Sequence, residues 1–134
     1  MDLVQQLRRD EGVKYRPYLD SKNILTVGVG RNIRDVAFSD DEVNLMLVND
    51  IKVRYAELSH YDWFVGLDDV RKAAIVNMAF AGIATLLNFH RMITALANKD
   101  WATANTEMMD SKWSRDVGER ANRLAKQILT GEWQ

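Results

Sequence analysis

The chain contains no cysteine. That excludes disulfide staples, a thiol nucleophile and a thiolate-bound zinc, and it makes folding indifferent to redox conditions. Proline occurs once, at Pro17, and glycine only seven times in 134 residues, too sparse for a fibrous repeat or a flexible linker. Net charge is scarce as well. Lys plus Arg number 18 against 19 for Asp plus Glu, formally -1, which gives no overall attraction to nucleic acid or to an acidic membrane. Long apolar runs are missing too: Ala73 to Val76 and Met78 to Ala81 fall far short of the ~20 residues that cross a bilayer. The opening MDLVQQLRRDEG lacks a basic stretch followed by an apolar run, so a chain made in the cytoplasm, without membrane insertion, is expected. The two histidines, His60 and His90, have no second His at helical i, i+4 spacing; no metal and no cofactor are expected.

What remains is an ordinary globular composition, 47% hydrophobic and 28% charged, at the usual length of one domain. No repeat, low-complexity tract or compositional break divides it. Leu3, Val4 and Leu7 share one face of a short amphipathic helix over residues 2–11, which Gly12 ends. From Val13 to Arg31 strand-favouring residues (Tyr15, Tyr18, Ile24, Thr26, Val27, Val29) are punctuated by Pro17, Ser21-Lys22-Asn23, Gly28 and Gly30. This predicts a small antiparallel sheet with a turn near Lys22. Ser39 and Glu42 have capping-box spacing, with Asp40 and Asp41 between them where the helix dipole favours acids. The helix that follows, carrying Val43, Leu47, Ile51 and Leu58, is long enough to link two lobes. Beyond Asp62 the chain is expected to be helical, with Asp68, Asp100 and Asp116 as N-caps. Trp63, Trp101, Trp113 and Trp133 are expected to pack in the core or between lobes.

Chemistry concentrates near the N-terminus, in Asp10-Glu11-Gly12, Tyr18-Leu19-Asp20 and Thr26-Val27-Gly28-Val29-Gly30-Arg31-Asn32. One carboxyl ends a helix and a second sits on the neighbouring hairpin, so the two can face each other across a gap. Glycosidic cleavage uses such a pair, a protonated acid for the leaving oxygen and a second carboxylate that activates water or attacks the sugar carbon. The acid calls for partial burial and its partner for a wetter place. Alone the pair says little, because 19 acids in 134 residues produce such spacings by chance. Gly28-Val29-Gly30 is not a phosphate loop, since no Lys-Ser/Thr follows.

Taken together, the order and spacing of Glu-Gly, Tyr-x-Asp and Thr-x-Gly-x-Gly over Leu7 to Asn32 closely resemble the phage-type lysozymes of glycoside hydrolase family 24. The likeness continues in Leu67 to Phe80, in Asp100-Trp101, in Ser111-Lys112-Trp113 and in Arg120 through Trp133. The resemblance implies an α+β, lysozyme-like, mostly helical fold in which a small N-terminal β-hairpin lobe is joined by a long helix to a helical C-terminal lobe. It implies a single domain over 1–134, with about 12–58 forming the β-containing lobe plus connecting helix, and 1–11 with 59–134 the helical lobe. The implied substrate is the peptidoglycan glycan strand, cut between N-acetylmuramic acid and N-acetylglucosamine by a monomer without nucleic-acid partner. By matched position Glu11 becomes the general acid, Asp20 and Thr26 activate the attacking water with inversion, Asn32, Phe80 and Glu107 bind substrate, and Arg120 orients the catalytic Glu. The expected place of action is the cell wall, reached from the host cytoplasm after holin-dependent release or from the virion.

Three departures qualify the match. Residue 31 is Arg where some relatives carry His, so a titratable charge becomes permanent. Ala81-Gly82-Ile83 replaces a polar, slightly longer segment, which weakens the expected binding wall beside Phe80. The near-neutral charge contrasts with strongly basic relatives and predicts less salt-sensitive activity. Two rival readings carry different consequences. A lytic transglycosylase needs one catalytic Glu and no activated water, so Asp20 and Thr26 argue for hydrolysis. A non-catalytic wall-binding or structural phage protein would tolerate loss of Glu11 or Asp20, and both are present.

Overall fold

A computed structural model describes all residues, Met1–Gln134, and divides them into two compact units, Met1–Leu47 and Val48–Gln134. In the first, α1 (Leu3–Glu11) begins at a reciprocal cap: Asp2 accepts from the Gln5 backbone N–H, and the Gln5 side chain accepts from that of Asp2, each at 2.8 Å. It ends at Gly12, whose φ of 73° turns the chain into the sheet. Strands β1 (Lys14–Leu19), β2 (Leu25–Gly28) and β3 (Arg31–Asn32) form an antiparallel sheet in the order β1-β2-β3. Tyr18 pairs with Thr26 across β1 and β2, and Thr26 with Asn32 across β2 and β3. Thr26 therefore sits mid-sheet with a neighbour on either side, and it is buried.

Helix α2 (Asp40–Leu58) starts where the Ser39–Glu42 spacing predicted: the Ser39 N–H donates to the Glu42 carboxylate at 2.9 Å, and the Glu42 N–H to Ser39 Oγ at 3.2 Å. It runs from the first unit into the second. The second unit continues with α3 (Asp62–Val65), α4 (Asp69–Ala79), α5 (Ile83–Leu87), α6 (His90–Ala97), α7 (Trp101–Met109), α8 (Lys112–Val117) and α9 (Glu119–Thr130). The mostly helical α+β class expected from the sequence is the one observed. Phe64, Ile75, Leu86, Met92, Met108, Leu124 and Ile128 lie at the heart of one hydrophobic cluster built from these helices. No helix is long and apolar enough to cross a membrane.

Asp68 and Asp100 cap α4 and α7 as expected, accepting from Arg71 and Thr103. Asp116 does not cap. It lies within α8, paired with Lys112 at 2.8 Å, because Ser111 caps that helix and Gly118 opens the next. Trp113 is buried and Trp63 and Trp101 are partly buried against the core, but Trp133, beyond the last helix, is 70% exposed. Its segment lies past the Gly131 cap of α9, outside any helix, and is exposed over 132–134.

Across the second unit, Arg71 fastens the end of α9 to α4. Its Nε donates to the Ile128 carbonyl at 2.6 Å and Nη2 to that of Leu129 at 3.2 Å, while Nη1 pairs with Asp68 at 2.8 Å. The guanidinium also lies 3.9 Å from the Trp101 ring centre. It thus satisfies carbonyls that a helix terminus leaves free.

Candidate active site

Glu11 is the last residue of α1, and its Oε2 lies 3.6 Å from where a Cβ would stand on Gly30. The acid therefore rests against the β2–β3 turn, where Gly28 and Gly30 both take positive φ, 70° and 67°. Only glycine adopts that backbone without strain, and its bareness permits the close approach. Glu11 is exposed and Asp20 half-buried, the reverse of the order expected from the acid's task. The reason is positional: the helix end faces solvent, whereas Asp20 folds back into its own turn.

Asp20 heads the β1–β2 turn, and its Oδ1 accepts from the Lys22 and Ile24 N–H groups at 2.8 and 2.9 Å. Both bonds fall on one oxygen, which fixes the carboxylate and leaves Oδ2 for other work. The backbone closes the same turn, with Asp20 N donating to Ile24 O at 3.0 Å and Asn23 in the left-handed region that asparagine tolerates. Thr26 Oγ1 donates to that same Ile24 carbonyl at 2.7 Å. One backbone residue, Ile24, thus orients both Asp20 and Thr26. With its proton committed, the Thr26 hydroxyl can act toward a third group only as an acceptor.

Asn32, expected to meet substrate, is used locally. Its Oδ1 accepts from the Arg34 and Asp35 N–H groups at 3.0 and 2.9 Å, and its Nδ2 donates to the Asp35 carboxylate at 3.0 Å. The Arg34 guanidinium, and after it the Asn32 side-chain amide, hold the Asp35 carboxyl below its ordinary range. One amide N–H of Asn32 is left for a ligand. Arg31 pairs with Glu42 at 2.7 Å. The Arg31 guanidinium, followed by the Ser39 backbone N–H, holds the Glu42 carboxyl at about 2.

The remaining expected residues belong to the second unit. Phe80 follows the last turn of α4 and is 43% exposed. Glu107, half-buried on α7, lines an open groove of about 910 Å³ together with Ala81, Thr85, Phe89, Arg91 and Trp113. Phe80 is not among that groove's lining residues. Arg120 is engaged with Asn77: Nε donates to its side-chain oxygen at 3.0 Å and Nη2 to its carbonyl at 2.6 Å. Sequence reasoning singled out neither Asn77 nor the partnership of Arg31 with Glu42. The capping box was a signal for Glu42 as a cap, and nothing in the spacing indicated its second bond.

The profile of the phage lysozyme family matches residues 8–127, a span that takes in Glu11, Asp20, Thr26 and their turns. The chain belongs to the phage lysozyme family. Among relatives of this lysozyme family, the probable T4-type lysozyme 1 of Dictyostelium discoideum is 27% identical, over 96% of this chain and 94% of its own length. The pre-baseplate central spike protein of Enterobacteria phage T4 is 26% identical over 98% of this chain, which corresponds to 28% of that much longer protein. A second Dictyostelium protein, the probable T4-type lysozyme 2, is 33% identical over 48% of this chain and 39% of its own length. Lysozyme-family sequence is therefore found both as a protein of about this size and as a part of a larger one.

Proposed function

We propose that the protein is a muramidase that hydrolyses the β-1,4 bond between N-acetylmuramic acid and N-acetylglucosamine in bacterial peptidoglycan. Glu11 donates a proton to the leaving glycosidic oxygen. Asp20, through the oxygen its turn leaves free, takes a proton from water, and the Thr26 hydroxyl accepts a hydrogen bond from that water and sets its direction. Attack from the face opposite the leaving group gives inversion. No cofactor enters this scheme, and the enzyme works as a monomer on the glycan strand. Asn32, Phe80 and Glu107 contribute sugar contacts, and Arg120, whose guanidinium is bonded to Asn77, is assigned by matched position to orient the acid. The protein leaves the host cytoplasm through a holin lesion, or arrives with the virion, and lyses the cell.

The observation that carries this reading is the shared anchorage of Asp20 and Thr26 on Ile24. A transglycosylase, whose muramyl hydroxyl attacks internally, has no use for a carboxylate and a hydroxyl oriented as a unit. The test is clearance of purified peptidoglycan by wild type and Glu11→Gln, together with analysis of the released ends. Hydrolysis by wild type, with reducing ends of inverted configuration, and a loss of about 10²- to 10⁴-fold in a folded Glu11→Gln are expected. Equal activity of the variant removes Glu11 as the acid, and anhydro-muramyl products replace hydrolysis with internal transfer.

A further inference from the structure

The turn against which Glu11 rests has little to hold it. Strand β3 is two residues long; it pairs with β2 at Thr26–Asn32 and Val27–Arg31, and just beyond it the Ile33 N–H donates to the Leu25 carbonyl at 2.9 Å, so the ladder ends short of the Gly28–Gly30 turn. From Val27 through Leu47 no side chain is buried, so apolar packing does not locate the turn. Gly28 and Gly30, at positive φ, offer no side chain to anchor it. A polar link does reach it. Arg31, the residue after Gly30, bonds through Nη2 to Glu42 Oε2 at 2.7 Å, while Glu42 Oε1 accepts from the Ser39 N–H at 2.9 Å. The Glu42 N–H returns to Ser39 Oγ at 3.2 Å. Each oxygen of this one carboxylate thus has its own task, one capping α2 and the other holding β3.

We propose that Arg31 and Glu42 are positioning residues for the acid Glu11, tying the Gly28–Gly30 turn under its carboxylate to the first turn of α2. The role rests on the reading of Glu11 as the proton donor. Gly30 is one residue from the tether and 3.6 Å, at its Cβ position, from Glu11 Oε2, so slackening the tether displaces the surface on which the carboxylate lies. Proton transfer is steep in geometry: a misplacement of about 1 Å costs up to roughly a hundredfold in rate. The pair is also constant across the neutral range, because Arg stays charged and the Glu42 carboxyl, held at about 2, is ionised throughout. A histidine in place of Arg31 would make the tether titratable at about 6.5. The other charged groups on the adjoining elements are Glu11 on α1, Lys14 on β1 opposite Gly28, Asp20 in the β1–β2 turn, Arg34 and Asp35 beyond β3, and Asp40 and Asp41 on α2. They are common to wild type and variant, so the difference between the two profiles reports the tether.

The experiment compares wild type with Arg31→Met, Glu42→Gln, their double variant, Arg31→Lys and Arg31→His, by kcat and KM on peptidoglycan fragments and by backbone amide NMR shifts. Glu42→Gln keeps the cap-accepting oxygen and removes only the charge. Expected for each of the first two is a fall in kcat of about tenfold with KM unchanged. The double variant should lose no more than either alone, Arg31→Lys should recover most of the rate, and the ratio of Arg31→His to wild-type kcat should decline with rising pH through the imidazole range. Amide shifts should move at Glu11, Gly28 and Gly30 and stay put in α4 to α9. Retained kcat within twofold in both single variants, or independent and multiplying losses, overturns the proposal. If the wild type cleaves no wall material, the muramidase reading fails, and the amide shifts decide the tether alone: unmoved Glu11 and Gly30 signals overturn it.

Discussion

Residues Met1–Leu47 bury one side chain, that of Thr26, whereas Val48–Gln134 holds the whole hydrophobic core. The two regions are kept in shape by different physics. The first is a collection of caps and turns: Asp2 with Gln5, the Asp20 turn, Asn32 with Asp35, Ser39 with Glu42, and glycines at positive φ. Its apolar residues Leu3, Val4, Phe38, Leu45 and Leu47 all remain more than 40% exposed. The second is organised by burial, with polar groups such as Gln127 and Arg71 recruited to satisfy the carbonyls that burial leaves. Catalytic candidates occur where packing is thinnest. A carboxylate that must meet a glycan and water is better served by a polar frame than by a closed core, and directional bonds provide its order.

Truncation is the strongest way to break this comparison. Phe64→Ala, at a 1% exposed core position, should cost about 3–5 kcal/mol in urea unfolding. Leu7→Ala, at 44% exposure, should change stability by less than about 0.5 kcal/mol; a matching loss there would show that the first unit hides a core of its own. Next in size is Arg71→Met, which strips two helix-end carbonyls, one half-buried and one exposed, of a charged donor. A loss of roughly 1.5–3 kcal/mol is expected, read from the same unfolding curves. Gly30→Ala sharpens the contrast from the other side. No atom lies closer than 3.6 Å to the new methyl, yet the φ of 67° is costly for alanine, so about 1–2 kcal/mol should be lost through backbone strain alone. Its methyl group would also stand beside the Glu11 carboxylate, and clearance should fall with it.

The smallest expected effect is one of pH. The folded Glu42 carboxyl is held at about 2, below its ordinary 4.5. The unfolded chain therefore binds this proton more readily, and the stability the pair contributes is present above about 4.5 and lost as pH falls toward 2. Because the pair is solvent-facing, the change is modest and shrinks with added salt. Thermal midpoints between pH 5 and 2 should fall less in Glu42→Gln than in wild type. Parallel curves would show that the carboxylate is equally free in the unfolded chain.

Much of the first unit was legible because its devices are local. The capping box at Ser39 and the turn near Lys22 are set by residues within four positions of one another, and they appear where the spacing indicates. The candidate acid and its partner were legible for the same reason, as Glu11 and Asp20 each stand beside their own turn. Asp116 shows how a local signal fails: an acid before a helical stretch is a cap only if no better cap precedes it, and Ser111 does. Burial of Glu11 was misjudged because exposure depends on what covers a helix end, which no spacing records.

The sequence by itself determined the kinds of element, the starts of the helices capped at Ser39, Asp68 and Asp100, and the carboxyl and hydroxyl groups available for chemistry. Those outcomes follow from backbone preferences and hydrogen bonds that close over a few residues. Tertiary structure alone decided that Arg71 reaches carbonyls 57 and 58 positions away, that Arg120 binds Asn77 across 43, and that Glu42 divides its oxygens between a helix cap and Arg31. A charged side chain is compatible with many partners along the chain. Which one it meets is set by the distance between them after folding, and electrostatic and hydrogen-bond energies fall away too quickly for any other rule to hold.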